Sequence, residues 1–519
     1  MVGAGINGAA LARDASMRGL RVALFDRGDF AGETSSRSSK LIHGGFRYLP
    51  QRQFRLVYGA LRERERLRRI TAPHLVHPIR FVFPIYCGRG FGRITMAIGL
   101  TLYDLIARIP RAQRHRNLDA KAVTGVEPLL SRDGLSGGAI YYDATGDDAR
   151  LTVENVLDAS LHGAAVANYL ELSGFTHRRG RLAAVRVRDL RGEASFELRA
   201  RVIVNATGPW VDAIRRLDEP GARPCVRLTK GVHLVFSREA LPVRESLVLS
   251  DHASRIVFVI PDDRYVLVGT TDTDFDDDPS TVATTGADVG YLLGVLRENL
   301  PTVRLSADDV LSSFAGLRAL VTNDGADAPS SVSREEVVLE SASGLITIAG
   351  GKLTTHREIA EKLGARVMRS LGRPVGRCPT LGIPLPGARA LDGDNGGAPV
   401  ASLFEIPQAA RDILVSRYGT RAALVASLIG GRPDLARPLS EGCPAIGAEV
   451  VYAVRSEMAQ SLADFLVRRT ALVWRYPREA EAAAPEVARL MAAELGWSSA
   501  HAAAELAHFR EDLSLRRIA

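Results

Sequence analysis

A chain of 519 residues, 46% hydrophobic and 24% charged, has room for two or three domains and the composition of a folded enzyme rather than a disordered or fibrous protein. Four widely spaced cysteines (Cys87, Cys225, Cys378, Cys443), with no C-x-x-C, argue against a disulfide framework or zinc site and for a reducing cytosol. The formal charge of +8 comes without the basic stripe and interleaved aromatics of a nucleic-acid binder, so no nucleic acid is expected; an anionic small substrate or an anionic membrane surface fits it better.

The first ten residues, MVGAGINGAA, place Gly3, Gly5 and Gly8 as G-x-G-x-x-G, with Asn7 inside the turn. Such glycines let backbone N–H groups approach a pyrophosphate at a helix N-terminus. Ala9–Arg18 reads as the helix, Gly19 as its stop and Arg21–Phe25 as a buried strand. Asp26 stands where a Rossmann unit places the acid for a ribose hydroxyl, and at this point NAD and FAD both remain open. Only Met1 and Val2 precede Gly3, where a central strand is expected. About four missing apolar side chains at 1.5–3 kcal/mol each would forfeit roughly 6–12 kcal/mol, against a typical stability of about 5–15 kcal/mol. The expectation is therefore that the natural start lies about five to ten residues upstream.

Residues 34–49, TSSRSSKLIHGGFRYL, follow the Rossmann acid with hydroxyls, glycines, His43 and Arg47, and little to bury. Such a loop could lay hydroxyls and amides along a cofactor. Ile94–Ile109 is the most apolar stretch, but it is shorter than a span of about 20 residues and contains Asp104 and Arg108. Arginines at 89, 93, 108, 111, 114 and 116 flank it. Periodicity favours a core helix with solvated ends over a helix lying in a membrane interface. Further on, RVIVNA ends at Gly208–Pro209, a second turn through which the backbone could approach a dinucleotide, beside Trp210, which is read as packing. DTDFDDDP (272–279) begins like a calcium loop, but Asp277 and Ala283 replace the required Gly and Glu, so no metal is expected. LITIAGGKLTTHREIA (345–360) reads strand, glycine turn, helix; Leu353 after Lys352 excludes a P-loop.

TSSRSSKLIHGGFRYL and the glycine turn before it, followed in order by VNATGPWVD, LTKGVHLVF, RIVFVIP, VLVGTTDTDF, AGLRAL and IAGGKLTTHREIA, resemble the FAD-dependent glycerol-3-phosphate dehydrogenase family. The match spreads over about the first 360 residues, and EVVYAVRSEMAQSLADFLVRRTAL (449–472) is similar to the family's helical tail. The resemblance implies an α/β fold: a Rossmann-type FAD-binding domain interleaved with a mixed or antiparallel-sheet substrate domain, plus a C-terminal helical domain. The expected segments are FAD-binding 1–75, 145–230 and 312–375, substrate 76–144 and 231–311, a linker 376–400, and a helical domain 401–519.

The implied reaction oxidises sn-glycerol 3-phosphate to dihydroxyacetone phosphate, with hydride passing from C2 to flavin N5 and electrons to a membrane quinone. By resemblance, Arg47, Arg318, Arg334 and Lys352 hold the substrate, while His233, His43, Arg318 and Lys352 serve catalysis. His233 is the first choice as base or polariser and His43 the second, since histidine titrates nearest the working pH. FAD would be held by Gly3, Gly5, Asn7, Gly8, Asp26, Thr34, Ser35, Ser38, Ser39, Leu41, His43, Ala206, Gly208, Gly351, Lys352, Leu353 and Thr354. The family usually has Ser and Pro around the arginine at 318, where this chain has Ala315 and Ala319, so a less rigid loop is expected there. It usually has Tyr where His356 stands. The implied location is cytoplasmic, peripheral on the inner face of the membrane, and the resemblance allows a homodimer. An oxidase releasing peroxide, an amine or amino-acid oxidase of the same superfamily, and a flavin-binding protein without catalysis are the alternatives.

Overall fold

The glycine turn is held in a parallel sheet by a single residue. Val2 bridges Phe25 on one side and Asn205 on the other, its N–H donating to Val204 O at 2.9 Å, and Gly3 N–H donates to Phe25 O at 2.9 Å. This comes from a computed structural model, which describes residues 1–45, 54–88, 92–107, 109–110, 113–252, 255–321, 336–390, 403 and 406–516. The sheet runs Ala165–Ala167, Ala23–Phe25, Val2, Ile203–Asn205, Leu345–Ala349, all parallel, with Val337–Glu340 antiparallel at the far edge.

The helix of the fingerprint, Ile6–Met17, is built mostly from small residues, and Ala9, Ala10, Ala12 and Ala15 are buried. They let it pack closely between Asp148–Leu161 and His356–Ser370, and Gly19, at φ +75°, ends the chain's helical course. The opposite face of the sheet is covered by an antiparallel meander, Leu170–Arg178, Arg181–Asp189 and Ser195–Arg199, whose Leu172, Phe175 and Val185 meet Val2, Phe25 and Ile203.

A larger sheet carries the other end of the molecule. Its order is Val310–Val321, Val226–Ser237, Tyr265–Gly269, Ile256–Pro261, Ser246–Ser250, Val76–Tyr86 and Leu135–Gly146. All neighbours in that order are antiparallel except Ser246–Ser250 with Val76–Tyr86. Alternation along Val226–Ser237 sorts its side chains. Val232, Leu234 and Phe236 pack with the helix Gly286–Asn299, while Val235 and the cross-strand residue Phe314 face the C-terminal helices. Those helices are Gln408–Tyr418, Ala422–Ser427, Gly447–Glu457, Leu472–Arg475, Pro477–Leu495 and Ser499–Arg516.

Three expectations change. Residues 312–321 pair along their length with Val226–Ser237 in the larger sheet rather than with the nucleotide-binding sheet. Arg318 therefore sits within a strand, not on a loop, and the backbone pairing supplies the rigidity that Ala315 and Ala319 do not. Within the expected linker, residues 378–390 pack on the helices, because buried polar groups need them: Arg13 donates to Ile383 O (2.7 Å), Arg389 to Asp158 (2.7 Å) and Gly387 N–H to Glu154 (3.2 Å).

The apolar helix is Arg93–Ala107. One side buries Met96, Leu100 and Tyr103, as a core helix would; the other exposes Ile94 (79%), Ile98 (66%) and Leu105 (75%) beside the half-exposed Phe54 and Tyr58 of a neighbouring helix, Phe54–Arg66. No helix among the described residues is long and apolar enough to cross a membrane.

Candidate active site

A cleft of about 1150 Å³ runs between the two sheets. At its nucleotide end the glycines are demanded by space. A Cβ on Gly3, at φ +96°, would lie 2.6 Å from Ala206 O, and one on Gly8 would lie 1.9 Å from Gly3 O. Gly5 faces Ser35, whose Oγ accepts the Ile6 N–H at 2.9 Å. Asp26 accepts the N–H of Ala4 (2.6 Å) and of Gly28 (3.0 Å), which aims its carboxylate across the turn, and burial raises its pKa. Asn7 Nδ2 donates to Gly350 O at 3.2 Å and ties the first turn to the second, where Gly350 and Gly351 both have positive φ. Gly208 and Ala206 close the remaining side of the cleft.

The serine loop is locked by a residue that sequence reading missed. Asp147 caps the helix Asp148–Leu161 by accepting the Arg150 N–H, which leaves Asp148 free to face the loop. Asp148 Oδ2 accepts both the N–H and the Oγ–H of Ser38 (3.0 and 2.6 Å), and Oδ1 accepts from Lys40 Nζ at 2.5 Å. Thr34 Oγ1 donates to Leu317 O at 2.7 Å, binding the loop to the larger sheet. Leu41 enters a short strand, Leu41–Ile42, paired with Leu135–Gly146. Thr354 Oγ1 donates to His43 O at 3.2 Å, so the second glycine turn also holds the His43 backbone. Lys352 and Leu353 lie at the same wall of the cleft, where a short helical turn, Leu353–Thr355, leads into His356–Ser370.

At the far end the larger sheet forms a floor. Phe314, Gly316 and Arg318 are cross-strand partners of His233, Gly231 and Thr229, so their side chains share one face. Arg318 Nη1 donates to Asp272 Oδ1 (3.1 Å) and Thr271 O (3.4 Å), and Nη2 to Thr270 Oγ1 (3.1 Å). The guanidinium crosses over Gly231, where a Cβ would stand 2.5 Å from Nη2. His233 is 2% exposed, and its Nε2 is hydrogen-bonded to Ser39 Oγ at 2.8 Å. Burial first, then the Arg318 and Lys40 cations, hold its pKa well below the usual histidine range, so the ring is neutral at neutral pH. His233 Nδ1 is buried without a hydrogen-bond partner among the described residues.

The structure thus brings His233, His43, Arg318, Lys352 and the expected dinucleotide residues other than Gly8 to one cleft, and packs Gly8 behind it against Gly3. Arg47 and Arg334 lie outside the described residues. GTTD (269–272) is readable in the sequence as a strand end and turn near the site, but not the role of Thr270 and Asp272 as anchors of Arg318; sequence reading missed altogether a buried cluster beneath the His43 loop. There Asp143 meets Arg64 Nη1 and Tyr103 Oη at 2.8 Å each, and Gly44 N–H donates to Tyr103 Oη at 3.1 Å. Burial raises the Asp143 pKa against the Arg64 charge. No local signal in the chain announces it, since its members come from three elements. His356 is buried, donates Nδ1–H to Leu353 O at 2.7 Å, and burial lowers its pKa to about 4. Trp210 carries the Arg27 guanidinium 5.5 Å above its ring at the cleft wall. Among the described residues no group of three or more His, Cys, Asp or Glu could hold a metal ion.

The C-terminal helices clasp the loop that follows Asp26. Asp29 accepts from Arg469 (2.6 and 2.8 Å) and Arg468 (2.5 Å); Asp29 and Arg469 are fully buried and Arg468 largely so. Burial alone would raise the Asp29 pKa, but the two guanidiniums more than offset it and hold it at about 2. Arg150 meets Glu457 at 2.7 and 2.8 Å a few residues away in the same buried network.

The cleft suits FAD on its own geometry: a glycine turn crowded by backbone, an acidic side chain oriented across it, two glycine turns tied together, and polar side chains at the far end. Comparison with known proteins agrees. Residues 1–357 match the family described as FAD dependent oxidoreductase, and residues 378–502 match the C-terminal domain of alpha-glycerophosphate oxidase. An aerobic glycerol-3-phosphate dehydrogenase of Staphylococcus haemolyticus is 36% identical over 491 residues, covering 91% of this chain and 86% of its own. The crystal structure of the glycerol-3-phosphate dehydrogenase from Bacillus halodurans complexed with FAD has a TM-score of 0.81 at 30% identity, covering 100% of this chain and 94% of its own. A glycerophosphate oxidase from Mycoplasma pneumoniae shares the fold at a TM-score of 0.57 and 18% identity, covering 74% of this chain and 97% of its own.

Proposed function

This chain belongs to the glycerol-3-phosphate dehydrogenase family of FAD-dependent oxidoreductases, and from that premise we propose that it oxidises sn-glycerol 3-phosphate to dihydroxyacetone phosphate and delivers the electrons to a membrane quinone. The observation that carries the substrate reading is the anchored guanidinium of Arg318 on the same sheet face as His233, at the other end of the cleft from the dinucleotide cradle. A fixed guanidinium suits bidentate bonding to a phosphate dianion, and Asp272 and Thr270 prevent it from collapsing into the cleft. FAD, when bound, supplies the hydride acceptor. His233, kept neutral by burial, accepts the C2 hydroxyl proton in this reading, and Ser39 fixes which nitrogen it presents. His43 is the alternative acceptor. Lys352 adds positive charge near the substrate and the flavin.

The exposed stripe of Ile94, Ile98 and Leu105, with Phe54 and Tyr58, supports peripheral binding to the inner face of the cytoplasmic membrane. The same helix holds the His43 loop through Tyr103, so a lipid-facing surface would lie next to the reacting end of the cleft. Sheet pairing supports a division into FAD-binding segments 1–75, 145–225 and 336–375, and substrate segments 76–144 and 226–321.

Anaerobic mixing of the FAD-loaded chain with glycerol 3-phosphate tests the substrate: bleaching of the flavin absorbance is expected, and bleaching by sarcosine-like amines instead would overturn it. Rapid peroxide release in air without an added acceptor would sink the quinone assignment. Flotation with anionic phospholipid vesicles should fail for an Ile94→Glu, Leu105→Glu double variant; unchanged flotation would remove the helix from the membrane surface.

A further inference from the structure

The C-terminal helices contribute none of the residues that line the cleft among those described, yet one of their rings reaches the site. Trp474, in the short helix Leu472–Arg475, packs on Phe314 with centroids 4.6 Å apart and planes tilted by 52°. Phe314 stacks in turn on the His233 imidazole at 4.8 Å and 16°. All three are buried. On its other flank His233 is paired with Gly269, where a Cβ would stand 2.2 Å from the imidazole Cδ2, so the ring occupies the space that the glycine leaves. Only the Ser39 contact at Nε2 bonds the ring, since Nδ1 has no partner among the described residues. One hydrogen bond and one stacked face therefore set the ring's rotation. The stacked face is backed by Trp474.

We propose that Trp474 is a positioning residue: through Phe314 it fixes the plane of the His233 imidazole so that Nε2 meets Ser39, and it thereby makes the C-terminal helical unit part of the active-site geometry. The proposal rests on the reading of His233 as the proton acceptor for glycerol 3-phosphate. Aromatic pairs have preferred geometries, and each contributes roughly a two- to tenfold bias in an equilibrium. A branched aliphatic at 474 keeps the core apolar but cannot reproduce the tilted ring contact. Phe314 then gains a second orientation, and the imidazole follows. The charged groups that face His233 are Lys40 from the serine loop, held by Asp148, and Arg318 from the neighbouring strand, held by Asp272; Lys40 Nζ also lies 5.7 Å over the Phe314 ring that Trp474 backs.

The test uses the full-length, FAD-loaded chain with Trp474→Leu, Trp474→Phe and Phe314→Leu. Ring resonances of isotope-labelled histidine report His233, identified by the signal lost in His233→Gln. They should shift or double in Trp474→Leu and Phe314→Leu and stay near the original position in Trp474→Phe. At saturating glycerol 3-phosphate, the anaerobic flavin reduction rate should fall about tenfold in Trp474→Leu, with the half-saturating concentration within about twofold, and recover in Trp474→Phe. A merely structural tryptophan would lower the thermal midpoint and flavin content while leaving rate and resonances in place, and that result overturns the proposal. Should Trp474→Leu fail to fold, Phe314→Leu decides by the same two readouts. Should glycerol 3-phosphate fail to reduce the wild-type flavin, the function reading falls, while the His233 resonances still decide the stacking proposal.

Discussion

Gly231→Ala adds one methyl group at the point where Arg318 crosses its neighbouring strand. The new Cβ would lie 2.5 Å from Nη2, 2.8 Å from Cζ and 2.7 Å from Thr270 Oγ1, against ordinary contacts of 3.4–4 Å. The guanidinium must retreat by roughly 1 Å, a misplacement that can cost on the order of a hundredfold where geometry is fixed. It cannot simply swing aside, because Asp272 and Thr270 anchor both terminal nitrogens. Losing one charge-assisted bond to the substrate phosphate costs about 1.5–3 kcal/mol, or about a ten- to hundredfold rise in half-saturating glycerol 3-phosphate. Titration of anaerobic flavin reduction measures it. Flavin content should stay near wild type, since the change lies away from the glycine turns. Gly290→Ala, with nothing within 4 Å of the added carbon, serves as the control. A half-saturating concentration within about threefold of wild type, with flavin retained, would refute the placing of phosphate on Arg318.

Gly8→Ala should abolish tight FAD binding, because its Cβ would stand 1.9 Å from Gly3 O; the flavin-to-protein absorbance ratio after gel filtration reports it. Asp29→Asn leaves the buried Arg469 beside a neutral amide and deprives Arg468 of one partner, and should cost about 3–5 kcal/mol, read as a lower thermal midpoint. His356 binds no proton when folded until about pH 4, whereas the unfolded chain binds one from its ordinary value of 6.5 downward. Stability is therefore fully present above pH 6.5 and falls on acidification toward pH 4, by up to about 3 kcal/mol for this residue. His233, whose pKa is also lowered, acts in the same direction. Unfolding midpoints measured from pH 7.5 to 4.5 should fall less steeply in His356→Asn, and an identical slope would exclude His356 as a contributor.

The nucleotide end was legible in the sequence because its determinants are local. Gly3, Gly5, Gly8 and Asp26 lie within one turn, helix and strand; Gly3 and Gly8 answer to backbone clashes and Gly5 to a close approach of Ser35. The strand bearing His233 was readable from the apolar run GVHLVF, and the strand–turn–helix at 345–360 from its paired glycines. What stayed hidden depends on partners hundreds of residues apart. Asp29 and Arg469 meet across 440 positions, and no periodicity records that one needs the other. Nothing in the sequence marks Asp148 as a loop clamp; only packing reveals that Asp147 caps the helix while Asp148 clamps the serine loop. Residues from 312 onward were placed in the FAD-binding segment and Arg318 on a loop, because LSSFAGLRALV mixes small, polar and apolar residues and carries no mark of the strand it forms or the sheet it joins. The exposed side of the helix Arg93–Ala107 was hard to foresee for a related reason: apolar residues on both faces obscure which one the core takes.

Val2 sits between strands that the ribosome makes at very different times. Phe25 follows almost at once, but Ile203–Asn205 comes much later, and Leu345–Ala349 later still. At about 5–20 residues per second, roughly 20–70 s of synthesis separate the fingerprint from the strand that completes its sheet. Through that interval the nascent chain carries Val2, Phe25 and Ile203 without their full cover, a surface open to chaperones and to aggregation. The second glycine turn, which Asn7 bonds, emerges after the same delay. Flavin capture is thereby deferred until the strand Leu345–Ala349 and the glycine turn after it have been made, and a ribosome stalled before residue 345 holds a chain with its fingerprint but without the second turn.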